Sequence, residues 1–301
     1  MNSSILIVGS GAMANMFAAR LVAAGVKVTI LGTWEDGLQA LRTCGVRVQR
    51  KDNKIDTFPV GVVDNPGDCE KVQYALVLVK SWQTARAAKQ LAECLLPEGL
   101  ALTLQNGLNN RQTLSDVLGI QRVALGVTTS GATLIEPGLV RPVGDEVVSL
   151  GVHSRLKPLA DMLRAAGFMV DTVTDTSALL WGKLVINASI NPLTALLRVP
   201  NGELLKRSTA RNLMGITARE TASVAVARGI RLPYPDPVVA VETIARRTAE
   251  NFSSMLRDVM RGAPTEVDSI NGAIVNAGEI TKVPTPVNRT MWQLVKALSN
   301  N

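Results

Sequence analysis

The sequence predicts an α/β domain of the Rossmann, dinucleotide-binding type over residues 1–175, followed by an all-helical domain over residues 176–301. Three observations carry this. Short apolar runs alternate with helical stretches through the first half, the pattern of a parallel sheet with helices on both faces. A glycine turn, Gly9-Ser10-Gly11-Ala12-Met13-Ala14, follows directly on the first of those runs. Beyond about Asp175 the periodic segments all have helical spacing. The length of 301 residues, about twice the usual domain size, agrees with two domains.

Taken in order, Ile5-Leu6-Ile7-Val8 is a short buried strand, and the glycine turn leads into a helix through Ala24 with Gly25 as its stop signal. Val26 to Leu31 is the next strand, and strand-like runs recur at Tyr74–Val79, Leu100–Leu104 and Arg122–Thr128, with a helical stretch at Gln83–Leu96. Between Gly131 and Val152, Pro137-Gly138 and Gly144-Asp145 mark antiparallel hairpins expected to close one sheet edge. Helical periodicity then covers Ser177–Asn191, Ser208–Arg228, Pro237–Glu250, Thr265–Glu279 and Pro286–Leu298, interrupted by Gly229, Pro233, Pro235 and Pro237. Pro192 is expected to bend or end its helix at Asn191. An open α/β sheet binds ligands beyond the carboxyl ends of its strands, so the active site is expected in the cleft between the two domains.

Composition excludes several chemistries. The single histidine, His153, leaves no His-rich metal cluster and argues against a Ser-His-Asp or Cys-His engine. Cys44, Cys69 and Cys94 lack the spacing of a zinc site or a disulfide framework, so no metal is expected and a reducing cytoplasm is the natural compartment. No stretch of eighteen uncharged apolar residues could span a membrane, and the N-terminal apolar run lacks the basic region of a signal peptide. The net charge of +7 is scattered, and aromatics at 3% leave little for base stacking, so nucleic acid is not an expected partner. A mild basic excess suits anionic cofactors and substrates. The helical domain could stand alone as a monomer or form a homodimer.

The glycine turn fits G-x-G-x-x-G/A. Gly9 permits the tight turn, Gly11 lets the backbone approach a pyrophosphate, and small Ala14 allows close helix–strand packing. At the end of the second strand an acidic residue would hold a ribose 2′-hydroxyl, and an Arg would accept a 2′-phosphate. Leu31-Gly32-Thr33-Trp34 offers neither. Nothing at Thr33 repels a 2′-phosphate and its hydroxyl could donate to one, which points to NADP; Glu35 and Asp36 keep NAD open.

Lys183, Asn187 and Asn191 fall at i, i+4 and i+8 in an otherwise apolar helix and so line one face. A buried lysine without a partner is costly, so that face must meet water, a carboxylate or a ligand. Ketone reduction needs a proton for the developing alkoxide, and in a chain with one histidine an ammonium could both stabilise the oxygen and donate the proton. The alternative is a solvated helix face, with an Asn as a cap. Further on, Thr265 and Asp268 have capping-box spacing, with Glu266 in the first helical turn. Spacing alone does not choose between Glu266 and Asp268, nor between function and capping.

Five blocks together resemble the ketopantoate reductase family (2-dehydropantoate 2-reductase). They are Gly9 to Ala14, Val79-Lys80-Ser-Trp-Gln83-Thr84, Leu104-Gln105-Asn106-Gly107-Leu108, Leu180-Trp-Gly-Lys183 through Thr194, and Ser253-Ser254-Met-Leu through Glu266. Their order and separations also agree, over nearly the whole chain. The resemblance implies a 6-phosphogluconate-dehydrogenase-like architecture and NADPH-dependent reduction of a 2-oxo acid, 2-dehydropantoate, to pantoate in pantothenate and coenzyme A synthesis. It implies Lys183 as general acid on the C2 carbonyl and Glu266 as the group that holds and orients the substrate hydroxyl. Asn187, Asn191, Asn251 and Ser254 would line the substrate pocket, with Ser254 near the carboxylate end. Asn106 would lie near the nicotinamide ribose, Lys80 would face cofactor and substrate, and Gly9, Ser10, Gly11, Ala12, Met13 and Ala14 would carry the pyrophosphate. Two departures stand out: Thr33 occupies a position where the family commonly has Arg, and Gly144-Asp145-Glu146 lacks the usual second glycine. The second could signal a paralogue acting on a different 2-oxo acid. A non-catalytic nucleotide-binding regulator would show damage at Lys183 or Glu266, and both are intact.

Overall fold

A computed structural model describes residues 4–298; residues 1–3 and 299–301, the extreme ends of the two expected domains, lie outside the described residues. Two compact units are present. The first comprises residues up to Gln105 together with Asn109–Thr176, and the second comprises Asn106–Leu108 together with Ser177 onward.

The first unit contains β1 (Ser4–Val8), α1 (Ala12–Ala23), β2 (Lys27–Leu31), α2 (Glu35–Cys44), β3 (Val46–Gln49), β4 (Ile55–Phe58) and β5 (Gly61–Val63). It continues with β6 (Val72–Val77), α3 (Thr84–Cys94), β7 (Leu95–Thr103), α4 (Asn110–Leu118), β8 (Val123–Glu136), β9 (Leu139–Gly151), α5 (Lys157–Ala165) and β10 (Met169–Val173). The sheet runs β4-β3-β9-β8-β7-β6-β1-β2-β5, with β10 also paired to β9. The β8-to-β5 stretch is wholly parallel. Alternation along β1 shows why both faces need covering: Ile5 and Ile7 join a core with α1 and α5, while Leu6 and Val8 join one with α3 and α4.

The hairpin expectation is corrected in two respects. Pro137-Gly138 does turn the chain between antiparallel β8 and β9, but the pair lies inside the sheet, flanked by β3, β4 and β10. Gly144 sits within β9 opposite Ser130, where the register shifts, so Gly144-Asp145 is part of a bulge and not a second turn. Glu146, one of the two carboxylates there, pairs with Arg20 of α1.

The second unit is helical: α6 (Thr176–Leu197), α7 (Glu203–Lys206), α8 (Ser208–Ala227), α9 (Pro237–Arg247), α10 (Ser254–Met260), α11 (Ala273–Thr281) and α12 (Pro286–Leu298), with a π-turn at Asp268–Gly272 before α11. Central α6 packs on two cores, Trp181, Leu184 and Ala188 facing one, Val185, Ile190 and Leu193 the other. The α12 start is held from α8, because the Glu220 carboxylate accepts from the backbone N–H groups of Val287 and Asn288, both at 2.9 Å.

Helix α6 does not end at Pro192 but continues to Leu197. Proline at 192 frees the carbonyl of Ala188. The Asn271 side-chain amide donates to that carbonyl at 3.1 Å, and also to Asn288 Oδ1 at 3.1 Å, with Asn271 and Asn288 fully buried. A partner 83 residues away along the sequence thus replaces the missing N–H. Asn271→Ala should therefore destabilise the protein by about 2–6 kcal/mol, two acceptors being left unsatisfied at about 1–3 kcal/mol each. Adding Pro192→Ala, which returns a backbone donor to the Ala188 carbonyl, should recover part of that loss in a denaturation double-mutant cycle; strictly additive effects would contradict the pairing.

The segment Asn106–Leu108 follows β7 yet belongs to the helical unit. Leu108 N–H donates to the Ser269 carbonyl at 3.0 Å. Gly107 has φ +82, and a Cβ there would stand 2.5 Å from the same carbonyl oxygen, so only glycine allows so close an approach.

Among the described residues no helix is long and apolar enough to cross a membrane, and no group of three or more His, Cys, Asp or Glu side chains could hold a metal.

Candidate active site

In the first unit the chain runs from β1 outward to β2 and β5, then returns to β6 and β7 on the other side, so strand order reverses between β1 and β6. Open α/β sheets bind ligands at such a switch point, beyond the carboxyl strand ends. The glycine turn lies there. Gly9 has φ +124, its N–H donates to the Leu31 carbonyl at 2.8 Å, and a Cβ would sit 3.0 Å from the backbone carbonyl of Leu78. Ser10 is buried, and its carbonyl accepts from the Asn15 amide at 3.1 Å. Gly11 starts α1 with no side-chain cap, leaving first-turn N–H groups available beside Ala12 and Met13; Ala14 is fully buried against the sheet. A Cβ on Gly11 would point into open space. The turn therefore fits a pyrophosphate: donors without a cap, and room where a side chain would otherwise stand.

These two glycines separate fold from binding. Gly9→Ala should cost about 3 kcal/mol of stability, from a strained φ and a backbone clash. Gly11→Ala should melt like the parent while losing about tenfold or more in dinucleotide affinity, the methyl group occupying ligand space. Thermal denaturation and titration calorimetry on the two variants check this, and a Gly11→Ala protein with parental affinity would contradict it.

Thr33 stands exposed just past β2, with Glu35 and Asp36 exposed in the first turn of α2. Lys80, half-buried, precedes the 3-10 turn Ser81–Gln83 after β6. Beside it a buried network closes the end of β7: the Gln105 amide donates to the Val79 carbonyl at 3.0 Å and to Thr84 Oγ1 at 2.8 Å.

In the second unit Lys183, Asn187 and Asn191 share the remaining face of α6, as their spacing requires. Asn191 is 7% exposed, and among the described residues neither Asn191 nor Asn187 makes a side-chain hydrogen bond. Burial pushes the Lys183 ammonium down to about 8, opposed by the negative charge of Glu266. Glu266 is buried, and Asn106 Nδ2 donates to its Oε2 at 3.4 Å. The helical unit thus brings Lys183, Glu266 and Asn106 into one electrostatic cluster, on the helix face that also carries the Asn187 and Asn191 amides.

The two acidic residues also differ in their surroundings. Asp268 is exposed and accepts from Trp292 Nε1 at 2.6 Å and Lys296 Nζ at 3.2 Å, so no Thr265–Asp268 capping box forms. Thr265 Oγ1 accepts instead from Val267 N–H at 3.4 Å, and Glu266 precedes the helical turn it was expected to join. Asn251 and Ser254 are exposed and, among the described residues, make no side-chain hydrogen bond; no contact draws them to Lys183. It is Ser253 that caps α10, accepting from Leu256 N–H at 3.0 Å and from Thr194 Oγ1 at 2.7 Å. His153 caps a surface turn, its Nδ1 accepting from Arg155 N–H at 3.2 Å, and takes no part in either cluster. The sequence reading did not single out Asn15, Gln105 or Asn271 as positioning residues; polar side chains inside apolar runs were the available signal.

A doubly wound nucleotide-binding unit and a helical unit with a buried Lys–Glu cluster define a chain of the two-domain dinucleotide-dependent class. The chain belongs to the ketopantoate reductase PanE/ApbA family: the family profile matches residues 5–155, and the profile of that family's C-terminal region matches residues 175–299. A 2-dehydropantoate 2-reductase of Archaeoglobus fulgidus is 35% identical over 98% of each chain. The crystal structure of a PanE/ApbA family ketopantoate reductase from Ralstonia eutropha superposes with a TM-score of 0.91 at 30% identity, covering 98% of each chain. A ternary structure of D-mandelate dehydrogenase with NADH and anilino(oxo)acetate gives a TM-score of 0.92 at 25% identity, again covering 98% of each.

Proposed function

We propose that this chain reduces 2-dehydropantoate to (R)-pantoate with NADPH, in the cytoplasm, as a step of pantothenate synthesis. The observation that carries the reading is Lys183, an ammonium brought down to about 8 by burial, electrostatically coupled to Glu266 and on one helix face with Asn187 and Asn191, whose amides make no side-chain hydrogen bond among the described residues. Near neutral pH such a lysine is still mostly protonated and gives up its proton readily, the condition for a general acid.

Gly9, Ser10, Gly11, Ala12, Met13 and Ala14 would hold the pyrophosphate, with Thr33, Lys80 and Asn106 completing the cofactor contacts. The bound cofactor supplies a hydride. Lys183 stabilises the negative charge developing on the C2 oxygen and transfers its proton there, so that the ketone becomes a secondary alcohol. Glu266, oriented by the Asn106 amide, accepts from the substrate hydroxyl and helps to hold Lys183 protonated. Asn187, Asn191 and Asn251 would line the substrate pocket, and Ser254 would lie near the carboxylate end. The NADPH preference is supported by the absence of a carboxylate at Thr33, where a hydroxyl can donate to a 2′-phosphate.

NADPH oxidation followed against a panel of 2-oxo acids, including 2-dehydropantoate and phenylglyoxylate, tests substrate and cofactor together. The expected result is dominant turnover of 2-dehydropantoate, faster with NADPH than with NADH. Dominant turnover of another 2-oxo acid, or none with cofactor bound, would overturn the reading.

A further inference from the structure

We propose that Trp34 is the stacking plate for the adenine ring of the dinucleotide, an inference that rests on the nucleotide-binding reading of the first unit. Two adjacent breaches of helix chemistry point to it. Trp34 is the N-cap of α2, a position where Ser, Thr, Asp or Asn would satisfy a free N–H, and it makes no capping hydrogen bond. Gly37, in the first turn of the same helix, is a poor helix former. One contact accounts for both. The indole lies on the backbone of Gly37, where a Cβ would stand 2.8 Å from Cζ3 and 2.9 Å from Cδ2 of the ring. Glycine thereby gives the indole a flat seat, and the ring stays 36% exposed in spite of that contact. A large apolar plate with one side seated and the other wet is the arrangement a planar ligand completes.

Its location agrees. β2 ends at Leu31, whose carbonyl accepts from Gly9 N–H at 2.8 Å, and a Cβ on Gly32 would stand 2.9 Å from Ser10 Oγ. The chain therefore leaves the pyrophosphate turn and reaches Trp34 two residues later, past Thr33. Glu35 and Asp36 follow in sequence as exposed carboxylates, and neither offers a π-face. Stacking on an aromatic plate is indifferent to the ribose 2′-substituent, so Trp34 would bind the part that NADPH and NADH share and leave the choice between them to its neighbours.

Trp34→Ala and Trp34→Phe, each checked for folding by circular dichroism, are compared with the parent by calorimetry, using NADP+, 2′,5′-ADP, 5′-AMP and nicotinamide mononucleotide. The expected result is a loss on the order of tenfold in affinity for the three adenine-containing ligands in Trp34→Ala, the usual size of one lost stacking partner. Trp34→Phe should retain most of the affinity, and binding of nicotinamide mononucleotide, which has no adenine, should be unchanged. In the parent, 2′,5′-ADP should quench tryptophan fluorescence; the quench should persist in Trp82→Phe and vanish in Trp34→Phe. Gly37→Ala, which unseats the ring without removing it, should weaken the same three ligands. Parental affinity for 2′,5′-ADP in a folded Trp34→Ala protein, or a quench that survives Trp34→Phe, overturns the role of Trp34 and leaves the nucleotide reading intact. Absence of calorimetric binding of both NADP+ and NAD+ to the parent overturns both.

Discussion

Lys183→Ala is expected to lower kcat by about 10² or more, the usual contribution of a positioned general acid, while dinucleotide affinity, for which the glycine turn is proposed as the main holder, should stay as in the parent. The pH profile makes the assignment specific. Lys183 must be protonated to act, and burial has brought its ammonium down to about 8. Reduction should therefore run at its plateau below that value and fall as pH rises through it, giving an alkaline limb near pH 8. In Lys183→Ala the limb should disappear along with the rate. A variant that keeps near-parental turnover, or one that loses rate but keeps the limb, would remove Lys183 from the chemistry.

Glu266→Gln is expected to give the second large effect, a loss of about 10–100-fold in kcat/KM, the size of one charge-assisted hydrogen bond to the substrate hydroxyl. The sign of its pH effect is fixed by the same electrostatics. The carboxylate favours the charged lysine, against the effect of burial. Replacing it with a neutral amide removes that support, so the alkaline limb should move to lower pH. A limb that stays in place would separate the two residues, whatever the loss in rate. Asp268→Asn, at a side chain that bonds Trp292 and Lys296 among the described residues, should leave rate and profile unchanged.

What was legible in the sequence follows from the range of the interactions involved. The strand–glycine turn–helix unit, the α6 face bearing Lys183, Asn187 and Asn191, and the limits of α12 are local patterns, and each stands where its periodicity put it. The continuation of α6 past Pro192 could not be read, because its condition is an amide 83 residues along the chain. The choice of Glu266 over Asp268 likewise turned on Trp292 and Lys296, more than twenty residues away. Strands β3, β4 and β5 are three or four residues long, too short for an alternating pattern to declare them. Their partners, and not their own residues, make them strands.

The short excursion at Asn106–Leu108 has a consequence for how this polypeptide can be divided. A nick or a gene split at residue 176 looks like a clean cut, yet it would send the C-terminal piece away without the amide that Glu266 accepts from and without the backbone donor on Ser269. Neither fragment would carry the whole Lys183–Glu266–Asn106 cluster, and mixing the two would have to thread a tripeptide from one into the other. Evolution can therefore exchange the nucleotide-binding half of such a chain only by carrying those three residues along with it.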